Sequence, residues 1–405
     1  MAQGGQLVAL EMTQTCPSFA MAIRIPAPLR HQENLPWTSI HDGDTIMFQA
    51  VQARLDSLLD ASRTPGLQYL VVNADQTVFE YAGGWADLAR RQPMCATTTM
   101  MAYSMSKTVT AAAVLQLIES QKLNLGDPIC RFFDSWPYGP DVTIRHLLAH
   151  TAGIPNPIPL AWVHAPAPHD SFDEHGALAA VLRRHGRLSF SPGTRYGYSN
   201  IGYWLLGEFV ERVSGVAFTA YVSSHVLQRL GIPPQQLGYA IPGLANHAHG
   251  YLEKYSLLNL VKRLMVDREF IGSYHDRWLE IYPHYVNGAA FGGLVGTTLG
   301  FAKFLQDQLQ PHSLLFNDLS RSQFYAAQQT SGGAPAGTSL GWHLGTLDGV
   351  RHYYKEGGGG GFHCMMRLYP AREIGTVLMT NATCLDVGGL LNTLDPEFLL
   401  PARQG

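Results

Sequence analysis

Ser104-Met105-Ser106-Lys107 is the one S-x-x-K of the chain, and it opens a stretch, to Ser120, that lacks Gly and Pro and is rich in Ala and Leu. That composition predicts a largely buried helix. Positions i and i+3 share a helical face, so the Lys107 amine falls beside the Ser104 hydroxyl, while Ser106 points roughly 100° away from Lys107. Ser104 is the candidate nucleophile and Lys107 its base. Free N–H groups at a helix N-terminus favour negative charge, which eases alkoxide formation and lowers the Lys107 pKa toward the neutral amine that a base must be. The rival reading is a capped helix with a solvated lysine. The residues that follow, Val109, Ala111 to Ala113, Val114 and Leu115, argue instead for a buried one.

Two more segments supply the rest of a serine mechanism. From Ser191-Pro192-Gly193-Thr194-Arg195 the chain turns toward Tyr198-Ser199-Asn200. A phenol near a lysine can carry a proton between nucleophile and leaving group, and an Asn side chain can hold a substrate amide or carbonyl. The alternatives are aromatic packing for Tyr198 and a helix N-cap for Asn200. Tyr285-Val286-Asn287 repeats the spacing without the Pro-Gly lead-in. The other segment is Lys355-Glu356 followed by Gly357 to Gly361, which runs on into Phe362-His363-Cys364-Met365-Met366 and not into G-K-[S/T] and a helix, so a phosphate cradle is not expected. Glycines on an edge strand admit a substrate close to the backbone, and the Gly358 N–H can face the Ser104 N–H to complete an oxyanion hole. The alternative there is a flexible hairpin loop.

Other patterns carry less. No G-x-S-x-G is present, which disfavours a strand–turn–helix nucleophile elbow. His247-Ala248-His249 and the run His169-Asp170 to Asp173-Glu174-His175 make neither H-E-x-x-H nor a zinc spacing. They are read as solvated loops, and no metal or cofactor is expected. His343-Leu344-Gly345 reads as strand preceding Lys355.

The elements must bring these distant segments to one place. The 405 residues carry 28 Lys+Arg against 31 Asp+Glu, with 46% hydrophobic and 15% charged residues. That balance excludes disorder and gives no electrostatic case for nucleic acid or an anionic membrane; a small ester or amide is the partner that the serine mechanism leads one to expect. The length calls for two or three lobes. Five cysteines are widely spaced with no C-x-x-C pair. No 18 uncharged apolar residues run together, so no membrane-spanning helix is expected. Arg24 interrupts the apolar run Pro17 to Ile25, so no secretion signal is read and the expected location is the cytoplasm.

Residues 1–45 read as an irregular arm. A helical stripe of Val51, Leu55, Leu58 and Leu59 leads to a hairpin of Leu67 to Val72 and Thr77 to Tyr81. Helical patterns then dominate: Phe172 to His185, Asn200 to Val213, Ala217 to Leu230 and Thr298 to Leu309. Tyr251 to His284 is read as helical-lobe core or a cap over the cleft. Short β-runs return at Ser339 to Leu344, Val350 to Lys355, Phe362 to Tyr369 and Ile374 to Thr380, before a helix at Val387 to Leu394. The expected fold is α/β (α+β): one antiparallel sheet flanked by helices (46–103 plus 331–405) with an inserted, mostly helical lobe (104–330).

Five ordered motifs resemble the serine β-lactamase and penicillin-binding-protein superfamily, in particular the class C β-lactamase-like branch with its family VIII carboxylesterases and D-aminopeptidases. They are Tyr103-Ser104-Met105-Ser106-Lys107, Ile144 to Ile154, Pro192-Gly193 before Tyr198-Ser199-Asn200, Phe291-Gly292-Gly293-Leu294-Val295, and Lys355-Glu356-Gly357 with Gly361-Phe362. The resemblance covers roughly Phe48 to the C-terminus. It implies a serine hydrolase with Ser104 acylated, Lys107 and Tyr198 carrying protons, and Asn200, Lys355, Gly357 and Gly358 around the substrate. A carboxylesterase on short esters is the activity expected; a β-lactamase or D-amino acid peptidase, an acyltransferase and a silent binding protein are the alternatives. Glu356 departs from the small residue usual at its position, and is expected to weaken recognition of an anionic β-lactam.

Overall fold

The computed structural model describes residues 42–399 apart from 122, 158–161, 257–258 and 260–267. The framework is a seven-stranded antiparallel sheet built from both ends of the chain. The early strands are β1 (Gly66–Val72), β2 (Thr77–Asp87) and β3 (Gln92–Pro93); the late ones are β4 (His343–Leu347), β5 (Val350–Gly359), β6 (Phe362–Tyr369) and β7 (Ile374–Thr380), in the spatial order β4-β5-β6-β7-β1-β2-β3. The two sets meet where Leu67 of β1 pairs with Thr380 of β7.

β1 is buried along its whole length because both faces of the sheet are covered. Leu67, Tyr69 and Val71 pack with Val51 and Leu55 of α1 (Asp42–Asp60) and with residues of the C-terminal helices, whereas Leu70 and Val72 face the core shared with the helical lobe. That alternation follows from the period of two in a strand.

At the centre of the lobe side lies α2 (Ser106–Gln121), whose residues Ser106 to Ile118 are all buried. Beside it runs α3 (Asn200–Ser214), and α4 (Thr298–Leu309) lies against β7 and β1. Near the C-terminus α5 (Val387–Leu394), followed by a short helix at Pro396–Leu399, covers the opposite face of the sheet.

The structure departs from the sequence reading in four places. The strand expected at Ser339 to Leu344 begins only at His343, because 339–342 bend on themselves, with Gly341 at φ 87° and Ser339 N–H bonded to Trp342 O (3.0 Å); the two-residue turn at Asp348-Gly349 (φ 48° and 79°) sets the register of β4 against β5. The stretch from Ala217 to Leu230 breaks into a short α-helix, a π turn and a 3-10 turn. There Ser223 and Ser224 hydroxyls bond back to Thr219 O (2.6 Å) and Ala220 O (2.8 Å), loosening the helical ladder. The described part of 251–284 is mainly strand where helical-lobe core or a cap was expected: Gly250–Glu253, Ile271–His275 and Trp278–Ile281 form a three-stranded antiparallel sheet, with a 3-10 turn at Arg268–Phe270. The expected arm over 1–45 lies outside the described residues through 41, and α1 already begins at Asp42.

Candidate active site

Ser104 sits in a 3-10 turn, Tyr103–Met105, immediately before α2. Tyr103 is held at φ 43°, a left-handed conformation that costs a tyrosine on the order of 1–3 kcal/mol and persists where surrounding structure imposes it. The first hydrogen bond of the turn runs from Met105 N–H to Ala102 O (3.1 Å), so the Ser104 N–H precedes the ladder.

Three segments converge on the Ser104 hydroxyl. Lys107 Nζ lies 2.9 Å from Ser104 Oγ, and Tyr198 Oη lies 2.7 Å from it on the other side. Lys107 Nζ also donates to Asn200 Oδ1 (2.8 Å) and to Phe291 O (2.7 Å). A neutral amine has two N–H bonds and one lone pair; with both N–H groups committed to these fixed acceptors, the lone pair is aimed at the Ser104 hydroxyl. Burial, and after it the nearby Lys355 charge, hold the Lys107 pKa well below that of an ordinary lysine. Burial also raises the Tyr198 phenol well above its usual value, so it is a protonated donor at neutral pH.

Tyr198 is positioned from beneath by His150. The two rings are 4.4 Å apart, and His150 Nδ1 accepts from Ser199 N–H (3.2 Å). Ser199 is the N-cap of α3, its Oγ accepting from Gly202 N–H, which leaves the Asn200 side chain free for Lys107. His150, in the Ile144 to Ile154 run, and the Phe291 carbonyl were not singled out by residue chemistry. A backbone oxygen leaves no trace in side-chain spacing. Ser106 turns away and accepts from Leu294 N–H (3.0 Å), and the Tyr285 hydroxyl is engaged by Ile241 N–H (2.7 Å), so neither competes for the site.

The fourth wall is β5. The tight turn at Asp348-Gly349 makes Val350 and Leu347 a hydrogen-bonded pair, so Val350, His352 and Tyr354 direct their N–H and C=O groups to β4. β4 ends opposite Tyr354. By the same alternation Glu356 and Gly358 present their backbone groups along an edge with no neighbouring strand. Gly357 faces the nucleophile: a Cβ there would meet Ala102 O at 2.2 Å and Ser104 N at 2.9 Å, so glycine is required by contact. Gly358 follows Gly357 on the same strand, so its backbone comes next to the contact between that strand and the Ser104 turn.

Lys355 lies on the Gly357 face, buried, its Nζ 5.4 Å from the Tyr198 ring centroid. Burial lowers its pKa to about 7, with Glu356 acting weakly the other way. Glu356 projects from the opposite face, where its Oε1 meets His363 Nε2 at 2.6 Å. The expected weakening of the cleft charge by Glu356 is therefore corrected: strand alternation sends the carboxylate through the sheet.

Of the histidines read as solvated loops, His175 is exposed as expected, whereas His247, His169 and His249 are corrected. His247 is buried against Thr99 (3.0 Å), His169 bonds His164 and Tyr239 O, and His249 stands between Glu280 and Asp87. No helix among the described residues is long and apolar enough to cross a membrane.

A sheet covered on both faces, with a helical lobe bringing S-x-x-K, Y-x-N and a glycine-rich edge strand together, defines the β-lactamase and penicillin-binding-protein type of fold. The family model described as "Beta-lactamase" matches residues 51–390, and the chain belongs to that family. Among curated relatives it is similar to Esterase EstB of Burkholderia gladioli, 30% identical over 45% of this chain and 50% of that protein. It is also similar to Penicillin-binding protein 4* of Bacillus subtilis (strain 168), 27% identical over 40% of this chain and 36% of that protein. The chain thus spans about half or less of the curated relatives it matches. The D-amino acid amidase from Ochrobactrum anthropi SV3, solved with L-phenylalanine amide, shares the fold with a TM-score of 0.72 at 19% identity, over 87% of this chain and 98% of that one.

Proposed function

We propose that the protein is a serine hydrolase working through an acyl-enzyme on short carboxylic esters. The observation that carries this reading is the chain Lys107–Ser104–Tyr198, with both links under 3 Å. Neutral Lys107 takes the Ser104 proton as Oγ attacks the carbonyl carbon, and the negative charge that collects on the carbonyl oxygen is met by the Ser104 and Gly358 N–H groups. The tetrahedral adduct collapses as Tyr198 gives its proton to the departing alkoxide and regains one from Lys107. Water then repeats the sequence on the acyl-serine, releasing the acid. Asn200 and the Phe291 carbonyl keep the Lys107 lone pair on line.

Ester preference is supported by Lys355. An amine recessed in the cleft with a pKa near 7 is a weak anchor for a substrate carboxylate, and a simple ester needs no such anchor. The likeness to EstB agrees with this. A β-lactam or D-amino amide is the second reading, favoured by the turning of Glu356 away from the cleft. Short p-nitrophenyl esters, nitrocefin and a D-amino acid amide compared under one set of conditions decide between them. The ester should have the highest kcat/KM, and intact-protein mass spectrometry should find its acyl group on Ser104. A preference for nitrocefin or for the amide overturns the esterase reading and keeps the acyl-enzyme.

A further inference from the structure

We propose that Tyr103 and His284 are positioning residues that hold the nucleophile turn against the glycine strand and so fix the separation of the Ser104 and Gly358 N–H groups. This rests on the serine hydrolase reading above. Tyr103 immediately precedes the nucleophile, and its left-handed backbone sends the side chain away from the cleft and under β5. The ring fills the space that side chains on the glycine strand would take: a Cβ at Gly359 would meet it at 2.5 Å. The phenol oxygen reaches His284 Nε2 at 3.0 Å and Gly360 O at 3.3 Å.

His284 is itself fastened. It is buried, and its Nδ1 lies 2.9 Å from Tyr282 O, an acceptor, so Nδ1 carries the ring proton. Burial keeps the ring neutral, which makes Nε2 the acceptor for the Tyr103 O–H. A Cβ at Gly360 would meet the His284 ring at 3.0 Å, so the histidine also lies against the end of the strand. The strut therefore runs from the residue before Ser104, through one phenol and one imidazole, to the turn that closes the β5–β6 hairpin. It touches no substrate, and its effect falls on the geometry between two donors.

A thionoester presents sulfur where an ester presents oxygen, and a tight oxyanion hole discriminates against it. The test compares kcat and KM for a matched p-nitrophenyl ester and thionoester in wild type, Tyr103→Phe, His284→Ala, His284→Gln and Gly360→Ala. Tyr103→Phe and His284→Ala should lower kcat on the ester about 10-fold, less than the 10²–10³ of losing a donor outright, with little change in KM and a narrowed ester-to-thionoester ratio. His284→Gln, which keeps an acceptor for the phenol, should recover most of both. Gly360→Ala, which displaces the ring without removing it, should narrow the ratio too. Lower kcat at an unchanged ratio, or no recovery in His284→Gln when the variant has a wild-type circular dichroism spectrum, overturns the strut. Failure of wild type to form an acyl adduct at Ser104 overturns the hydrolase reading, and the mass spectrum shows that before any variant is made.

Discussion

Truncation of Ser104 to Ala removes the attacking oxygen from a turn whose backbone bonds remain, so acylation should vanish while the fold persists, as mass spectrometry and thermal melting will show. Ser106→Ala should do the reverse. It strips the buried Leu294 N–H of its acceptor and costs about 1–3 kcal/mol of stability, yet leaves acylation in place. Lys107→Ala and Tyr198→Phe should each lower kcat at least about 10²-fold, and the double variant should lose far less than the product, because both act on one proton path. Tyr285→Phe is the control that should change little. Activity also has a signed pH dependence. In the proposed mechanism Lys107 works as the neutral amine, and burial depresses its pKa, so kcat/KM should rise with pH and level off well below the range of a free lysine. A rise centred near that range would show an ordinary, charged lysine.

At the scale of elements, the glycine run is where strand and nucleophile turn interlock. Gly357→Ala should cut kcat by at least about 10²-fold, the scale of losing an oxyanion donor, because its methyl would displace Ala102 O and Ser104 N. Lys355 is the opposite case, a buried cation on the same strand. Its pKa is lowered to about 7 on folding, so the charged form is penalised below that value and the penalty fades as pH rises from 7 toward the unfolded value. Lys355→Met should therefore raise the Tm, most at pH 6 and little near pH 10; a Tm gain independent of pH would refute this. Much of this architecture was legible beforehand. Phe362–Tyr369, Ile374–Thr380 and Val387–Leu394 stand at the expected residues because their apolar patterns agree with the faces they bury. Ser104, Lys107, Tyr198 and Asn200 were legible because i, i+3 spacing and a Pro-Gly turn act locally. What escaped is non-local: the small sheet across 250–281 and the Phe291 carbonyl depend on partners distant in sequence.

The whole molecule is tied together where the last helices meet the sheet. Asp395, fully buried, accepts from Tyr69 (3.0 Å), Tyr369 (2.7 Å) and Thr376 (3.2 Å) and pairs with Arg367 at 3.3 Å, so strands from both ends of the chain share one carboxylate. Asp395→Ala would strand a buried guanidinium and should cost about 3–5 kcal/mol in urea unfolding, whereas an exposed pair such as Arg212–Asp134 should be worth under about 1 kcal/mol. The seam between β1 and β7 joins residues as far apart as Gly66 and Thr380, 314 positions along the chain. During synthesis β1 therefore leaves the ribosome long before its neighbour exists, with one hydrogen-bonding edge open and Ser104 already made but Lys355 and the glycine strand still to come. On the proposed mechanism the nascent chain carries its nucleophile before its oxyanion hole, and the site is complete only once the late strands have joined β1.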